Sequence, residues 1–410
     1  MTTMAIDNKD KKVLNVPHLR FPEFTEEWKE TKLGKIAEIT KGSGISKDRL
    51  SEYGSPCILY GELYTKYKSE IINEVYSRTE LDSSLLVKSK ANDVIIPCSG
   101  ETAIDISTAR CVPFNNILLG GDLNIIRLKN NDGGFFAYQL NGTRKKDIAR
   151  VAQGVSVVHL YGENLKHIRV YHPAIEEQKK ITRLLSLIDK RIATQNKIIE
   201  KLQSLIKGLN DNIHKGIKGE TVCFSDLGEA YSGLSGKGGD DFGYGEPFIT
   251  YMNVYQNTYI SEKDYELVQI APNEKQNSVQ YGDALFTLSS ETPEEVGIGA
   301  VYLGNTQKLY LNSFCFGIHF YDERVLPQYL AHFISSSSFR RAIYPLAQGS
   351  TRFNLQKNDF MKMKFLLPSL EKQGHIANTL DALHCRLANE KSLTEQYILL
   401  KKYLLSLMFI

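Results

Sequence analysis

Two long helical repeats constrain the fold of this 410-residue chain more than any other feature of its sequence. In the first repeat, which we predict over residues 172–215, apolar residues recur at alternating spacings of four and three. They fill nine of the ten positions Ile181, Leu185, Ile188, Ile192, Gln195, Ile199, Leu202, Ile206, Leu209 and Ile213. Such a heptad seam is typical of a helix that packs along a partner helix.

The partner helix lies in the same chain, over residues 367–410. Moving the first repeat forward by 195 residues aligns the two without a gap, so that Pro173 falls on Pro368 and Ile181 on Ile376. The approach to each helix repeats as well, because the triplet Ala-Gln-Gly occurs at 152–154 and at 347–349. The chain is therefore a tandem duplication.

The seam of the second helix is less regular than that of the first. We predict that it follows Ile376, Leu380, Leu383 and Leu387, then slips near Glu390 and continues through Leu393, Tyr397, Leu400, Leu404 and Leu407. A slip of this kind locally changes the winding of a coiled coil.

These repeats predict an α+β protein with two α/β domains. We expect a disordered N-terminus over 1–16, domains over 17–171 and 216–366, and the two helices over 172–215 and 367–410. The helices should pack antiparallel as a coiled coil, which gives the duplication a pseudo-two-fold axis.

The two domains share a faint internal pattern. Residues 56–64 (PCILYGELY) match 247–255 (PFITYMNVY), residues 99–102 match 289–292, and Leu33-Gly34 matches Leu227-Gly228. Alternating and continuous apolar runs predict strands at 57–60, 93–97, 109–113, 123–128, 297–303 and 313–320. Helices are predicted at 135–140, 144–152, 328–334 and 339–344.

Composition excludes several classes of protein. The six cysteines are scattered without a CxxC pair, which indicates a reducing compartment rather than disulfides or a zinc site. The first residues lack the apolar core of a signal peptide, and no run of about 18 apolar residues exists to span a membrane. We therefore expect a cytoplasmic protein.

Charge is unevenly distributed along the chain. The stretch 221–345 contains 7 basic and 15 acidic residues, although the whole chain has a net charge of +3. Binding to nucleic acid would thus depend on local patches or on basic partners.

No motif for catalysis, metal or cofactor binding is found. A P-loop interpretation of the glycine-rich stretch 233–239 fails, because Gly238 stands where Ser or Thr must bind magnesium. The nine histidines occur singly, with no HExxH pattern. The sequence favours a protein that binds and positions other molecules.

Loops that mix polar, aromatic and basic residues at matching places in both domains are the candidate DNA-binding sites. Such side chains read base edges or contact phosphates and sugars. The candidates in the first domain are Lys41, Ser43, Lys47, Arg49, Tyr60, Tyr64, Lys66, Ser99 and Thr102; those in the second are Ser235, Lys237, Tyr251, Asn253, Tyr255, Ser289 and Thr292. The alternative interpretation is solvated loops with half-buried tyrosines.

The loops that precede the helices are a second set of candidates. Gly154 and Gly349 allow backbone N–H groups to approach an anion. Donors are supplied by Gln153, Ser156, Gln348, Ser350, Thr351, Arg352 and Asn354. The alternative is a turn that only docks helix to domain, and Val157 in place of an arginine weakens the first copy.

The chain resembles the specificity subunit of a type I restriction–modification enzyme. The resemblance is carried by RFPEFTEEWKETKLGKIAEITKG at 20–42, by the two Ala-Gln-Gly approaches, and by the two P-x-x-E-x-Q openings of the heptad helices. It implies two target recognition domains that each read half of a bipartite DNA site. It also implies two methyltransferase subunits that bring S-adenosylmethionine, and restriction subunits that use ATP and Mg²⁺, while this chain holds no catalytic residue and no cofactor.

Two other classes of protein remain open from the residues alone. A coiled-coil scaffold that does not touch DNA fits the duplication and the heptads equally well. A self-contained nuclease or methyltransferase fits poorly, because the cofactor motifs are missing.

Overall fold

The computed structural model describes residues 15–410 and divides the chain into two compact units. Unit 1 contains the residues up to Asn196 together with Ser392–Ile410, and unit 2 is Lys197–Lys391. Each unit thus comprises one α/β domain and a part of both long helices, Ile175–Lys215 (long helix 1) and Leu370–Met408 (long helix 2). The expected disorder over 1–16 falls almost wholly on residues 1–14, which lie outside the described part.

The domain of unit 1 is built on a four-stranded antiparallel sheet. Two of its strands, Asp93–Pro97 and Leu123–Leu128, are rich in Val, Ile and Leu and are buried over most of their length. The strand order is Ala37–Lys41, Leu123–Leu128, Asp93–Pro97 and Arg110–Val112. A second sheet has the order Leu50–Ser51, Ser77–Thr79, Ser55–Ile58 and Leu118–Leu119, with its last pair parallel.

Short ribbons and helices complete unit 1. The two-stranded ribbons pair Lys29–Lys32 with Arg169–His172, and Ser99–Gly100 with Val158–His159. The helices are Leu33–Ile36, Glu62–Thr65, Ala103–Ile106, Gly133–Asn141, Lys145–Arg150 and Gly162–Lys166.

The domain of unit 2 repeats this plan. Its central sheet has the order Gly228–Ser232, Cys315–Phe320, Ala284–Thr287 and Gly299–Val301. The second sheet has the order Tyr265–Val268, Phe242–Ile249 and Tyr310–Leu311, again with a parallel last pair. The ribbons pair Glu220–Cys223 with Lys364–Leu367 and join Ser289–Ser290, Phe353–Leu355 and Ala347–Gln348. Its helices are Phe224–Leu227, Tyr251–Gln256, Pro327–Ser335, Ser337–Ile343 and Lys357–Met361.

The matching element order confirms the tandem duplication of an α+β fold. The strands predicted at 93–97 and 123–128 have the observed bounds, and the other predicted strands and helices differ from the observed ones by a few residues at their ends. The match of Leu33-Gly34 with Leu227-Gly228 is wrong. The structure places helix Leu33–Ile36 where the second copy has Phe224–Leu227, so Gly228 opens a strand instead of lying in the helix.

Each domain core encloses the beginning of the long helix that follows it. In unit 1, Ile181 and Leu185 join a cluster in which Trp28 packs edge-on against Phe135, with ring centroids 5.5 Å apart. In unit 2, Ile376 and Leu380 join a cluster of phenylalanines: Phe224, Phe286, Phe316, Phe339 and Phe360. Burying apolar side chains of the helix in the domain core fixes the first turns of each helix to its own domain.

Long helix 1 follows the predicted seam, since all ten predicted positions are buried or half-buried. The slip predicted near Glu390 in long helix 2 is wrong. Leu393 and Leu400 are exposed, whereas Glu390 and Thr394 are buried. The observed seam runs Ile376, Leu380, Leu383, Leu387, Glu390, Thr394, Tyr397, Lys401, Leu404 and Met408, which is the first seam shifted by 195 residues.

The slip was mispredicted because polar residues occupy seam positions and find partners there. Arg386 Nε donates to Glu390 Oε1 at 2.5 Å, and Lys401 Nζ lies 2.6 Å from Asp189 Oδ1. A buried polar side chain is tolerated when it is paired, and apolarity alone then fails to mark the seam. Within residues 15–410 no helix is long and apolar enough to cross a membrane.

Candidate nucleic-acid interface

Two tight hairpins lie at matching places in the two domains, and their loops are called here tip 1 (Gly154–Val157) and tip 2 (Gly349–Arg352). Both glycines have left-handed backbone, with φ of +123° at Gly154 and +144° at Gly349. A Cβ added at these glycines would lie 2.1 Å from the Val157 carbonyl oxygen and 2.0 Å from that of Arg352. Only glycine allows the chain to close so tightly, and both tips depend on a glycine at this position.

The hairpins are held to the domains by short strand pairings. In unit 1, Gln153 and His159 exchange backbone hydrogen bonds of 2.9 and 2.7 Å, and His159 pairs with Ser99. In unit 2, Gln348 pairs with Asn354, which in turn pairs with Ser289. The structure therefore brings together two predicted groups of candidates, the loops before the helices and the segments that begin at Ser99 and Ser289.

In unit 2 these residues border a cleft of about 300 Å³. Its walls are Tyr251, Met252, Tyr255, Ser289, Ser290, Glu291, Glu295, Phe314 and Arg352. The Tyr251 hydroxyl donates to the Ser289 carbonyl oxygen at 2.9 Å, which fixes the aromatic wall against the strand Ser289–Ser290. The Arg352 guanidinium lies over the ring of Phe314, 5.9 Å from its centroid.

Glu295 is a charged hydrogen-bond acceptor at this cleft. The Tyr255 hydroxyl donates to it at 2.6 Å and Ser290 Oγ at 3.0 Å. These hydrogen bonds, the one from Tyr255 first, lower the pKa of Glu295 below its usual value. The cleft therefore contains a firmly ionised carboxylate beside an exposed guanidinium.

The corresponding surface of unit 1 has different side chains. Thr102 caps the helix Ala103–Ile106 by accepting a 3.1 Å hydrogen bond from the Asp105 backbone N–H. Burial raises the pKa of the half-buried Tyr64, and the neighbouring Tyr60 and Asp105 raise it further. Tip 1 itself is apolar, since Val155 is 96% exposed and Val157 is 53% exposed.

Several predicted candidates are engaged in contacts within their own domain. Lys66 Nζ donates to Glu62 at 2.7 Å, and Lys237 Nζ lies 2.6 Å from Glu274 Oε2. The buried Asn253 closes a turn, with hydrogen bonds of 2.8 and 3.0 Å to the backbone of Ser261.

The remaining predicted candidates lie on or near the surface. Ser43 is half-buried and its Oγ accepts from the Val87 backbone N–H at 2.8 Å. Exposed positions are occupied by Lys41, Lys47, Arg49, Thr102, Gln153, Ser156, Ser235, Thr292, Gln348, Ser350, Thr351, Arg352 and Asn354. Ser99, Tyr60, Tyr64, Tyr251 and Tyr255 are half-buried, and Ser289 is buried.

Sequence reasoning missed the residues that shape the two surfaces. Phe314, Met252 and Glu295 enter the unit 2 cleft from segments far apart in the chain, and no local pattern marks them. The exposure of Val155 and Val157 could have been predicted, because two valines in a loop between polar residues have no core to enter. Within the described part of the chain, no group of His, Cys, Asp and Glu is arranged to hold a metal ion.

The model of the family described as type I restriction modification DNA specificity domain matches residues 25–204 and 219–396. The chain belongs to this family. Each match covers one α/β domain and most of the long helix that follows it, so the chain carries two specificity domains in tandem.

Known relatives cover nearly the full length of the chain. The MjaVIII specificity subunit of a type I restriction enzyme of Methanocaldococcus jannaschii is 21% identical over 98% of this chain and 95% of its own. The S subunit of a type I restriction-modification system from M. genitalium is 13% identical, with a TM-score of 0.56 over 96% of this chain and 99% of its own.

A third protein comes from a structural study of complex assembly and conformational transition of the type I R-M system. It is 14% identical, with a TM-score of 0.56 over 92% of this chain and 96% of its own. These two structural matches show that the fold is shared.

Proposed function

We propose that this chain is the DNA-specificity subunit of a type I restriction–modification complex, in which each α/β domain reads one half of a bipartite target. The tandem match to DNA specificity domains carries the proposal. It is supported by two hairpins that open with a similar tight glycine turn but carry different side chains. A two-stranded ribbon of this kind fits the major groove of B-DNA.

In this proposal the long helices set the number of base pairs between the half-sites. Long helix 1 has 41 residues, which span ~60 Å at 1.5 Å per residue. At about 3.4 Å per base pair this corresponds to at most roughly 18 bp. The helices also bind two methyltransferase subunits through side chains that the seams leave exposed.

We assign all chemistry to those partner subunits. Methyltransferase subunits bring S-adenosylmethionine and methylate adenine, and restriction subunits use ATP and Mg²⁺ for translocation and cleavage. The chain itself supplies recognition and geometry and is not an enzyme in this proposal.

The acidic second domain supports a role for partners in binding the DNA backbone. With 7 basic against 15 acidic residues in 221–345, the domain repels phosphates as a whole. We therefore expect the isolated chain to bind DNA weakly, and the complex with methyltransferase to bind tightly. Tight sequence-specific binding by the chain alone would contradict this assignment.

A genome-wide map of methylated adenines tests the proposal in cells with and without the chain. We expect a two-part motif that disappears when the chain is deleted. Replacing residues 221–345 by those of another member should change one half of the motif and leave the other half intact. If deletion left methylation unchanged, a scaffold role for the duplicated coiled coil would explain the chain better.

A further inference from the structure

The two hairpin tips open with a similar tight glycine turn and differ in side-chain chemistry at matched positions. The glycine φ angles and the carbonyl that approaches each glycine place Val157 and Arg352 at the same point of the turn. The residue just before this position carries a hydroxyl group in both copies, as Ser156 and Thr351. The contrast therefore concentrates at two positions of tip 1, where valines replace a serine and an arginine of tip 2.

Tip 1 presents an apolar surface to solvent. Val155 and Val157 are 96% and 53% exposed, and neither belongs to a core cluster of unit 1. Ile104, which is 50% exposed, lies on the helix Ala103–Ile106 that packs beside the strand leaving this tip. Apolar side chains at such a point can contact the methyl group of thymine, the one apolar feature of the major groove.

Tip 2 presents a guanidinium that is held in place without an ion pair. Arg352 is exposed and lies over the ring of Phe314, and within residues 15–410 no carboxylate forms an ion pair with it. The aromatic face restricts the guanidinium while its N–H groups stay available. This arrangement suits bidentate donation to guanine O6 and N7.

The cleft beside Arg352 favours a base edge over a phosphate as its ligand. Glu291 and Glu295 line the same cleft, and the lowered pKa of Glu295 keeps it charged. Two carboxylates repel a phosphate group, whereas the edge of a guanine is neutral and offers two acceptors.

We propose that the position shared by Val157 and Arg352 determines specificity in both half-sites. Arg352 reads a guanine in one half-site, and Val157 together with Val155 reads an A·T pair through the thymine methyl group in the other. This inference rests on the proposed function, because it assumes that the tips enter DNA.

The test uses the full-length chain expressed in cells with its partner subunits, with methylated adenines mapped across the genome. We expect Arg352→Gln to shift one base pair of a single half-site from G·C to A·T, since glutamine pairs with adenine N6 and N7. The preference for guanine should fall by about 5- to 150-fold. Arg341→Gln is the matched control, because Arg341 is an exposed arginine of the same unit on the helix Ser337–Ile343.

The reciprocal change Val157→Arg should introduce a guanine preference at one base pair of the other half-site. Tip 1 is exposed, so this variant tests the inference even if Arg352→Gln accumulates poorly. Uniformly weaker methylation with an unchanged motif would overturn the inference, because it indicates a phosphate contact. If deleting the wild-type chain left methylation unchanged, that result would instead refute the proposed function itself.

Discussion

Replacing Lys401 by methionine tests a largely buried cluster of three charged side chains in unit 1. Lys401 Nζ lies 2.5 Å from Glu70 Oε2 and 2.6 Å from Asp189 Oδ1, and the three side chains are 13%, 11% and 6% exposed. The Tyr138 hydroxyl also donates to Asp189 at 2.7 Å. Burial raises the pKa of Glu70, and the ammonium of Lys401 opposes that rise.

Removing the ammonium leaves two buried carboxylates that have lost their closest cation. Breaking a buried ion pair from one side destabilises a protein by about 3–5 kcal/mol. Arg110 is buried nearby and interacts favourably with both carboxylates, so we expect the lower end, about 3 kcal/mol. For a unit of this size that corresponds to a fall in Tm of ~6–12 °C at pH 7.

The pH dependence gives a second, independent signature. A carboxyl whose pKa is raised in the folded state stabilises the fold below its unfolded pKa and loses that effect as pH rises through the folded pKa. Without Lys401 the pKa of Glu70 should rise further. The difference in unfolding free energy between variant and wild type should therefore shrink as the pH is lowered from 7 to 5.

Thermal and urea unfolding followed by circular dichroism measure both effects. Lys402→Met is the matched control, because the neighbouring Lys402 is exposed. Adding Glu70→Gln to Lys401→Met should restore most of the stability, since the remaining carboxylate of Asp189 then faces the buried cation of Arg110. A deficit below about 1 kcal/mol at pH 7, or one that grows on acidification, would refute the reasoning.

Three further predictions concern tip 2, the helices and the histidines of unit 2. Gly349→Ala should abolish recognition of one half-site, since its Cβ would lie 2.0 Å from a carbonyl oxygen. Gly239→Ala is the control and should not, because the space around Gly239 is open; methylation mapping compares the two variants. Inserting four residues between Gln195 and Asn196 adds ~6 Å of helix, and should change the preferred spacer by about 2 bp or prevent assembly; an unchanged spacer would show that the helices do not set it. Burial lowers the pKa of His332, so unit 2 should lose stability below about pH 6.5, where the unfolded state binds the proton more readily. Measuring Tm against pH for wild type and His332→Asn checks this. Equal slopes of the two curves would contradict it.

Periodicity and duplication together predicted most of the fold. The strand Asp93–Pro97 is centred on the apolar run Val-Ile-Ile, and nine of the ten predicted seam positions of long helix 1 are apolar, so local sequence carries their signal. The seam of long helix 2 could not be followed in the same way. Lys401 is half-buried there because Glu70 and Asp189, remote in sequence, provide its charge partners.

The candidate site was predictable as a set of segments and not as a surface. Two Ala-Gln-Gly triplets and the matching segments at 99–102 and 289–292 were visible in the sequence, and strand pairing brings them together. Which side chain faces solvent depends on tertiary contacts. Asn253 illustrates this, because its amide is used to close a turn with Ser261.

The polar seam of long helix 2 also bears on how a duplicated chain avoids pairing its helices with those of a second copy. Shifted by 195 residues, Lys401 corresponds to Ile206 of long helix 1. If a second copy of the first half supplied its own helix to unit 1, an isoleucine would face Glu70 and Asp189, and the carboxylates would have no ammonium. The charges that stabilise unit 1 therefore make its two helices non-equivalent. They favour pairing within one chain over pairing with the helix of a second copy.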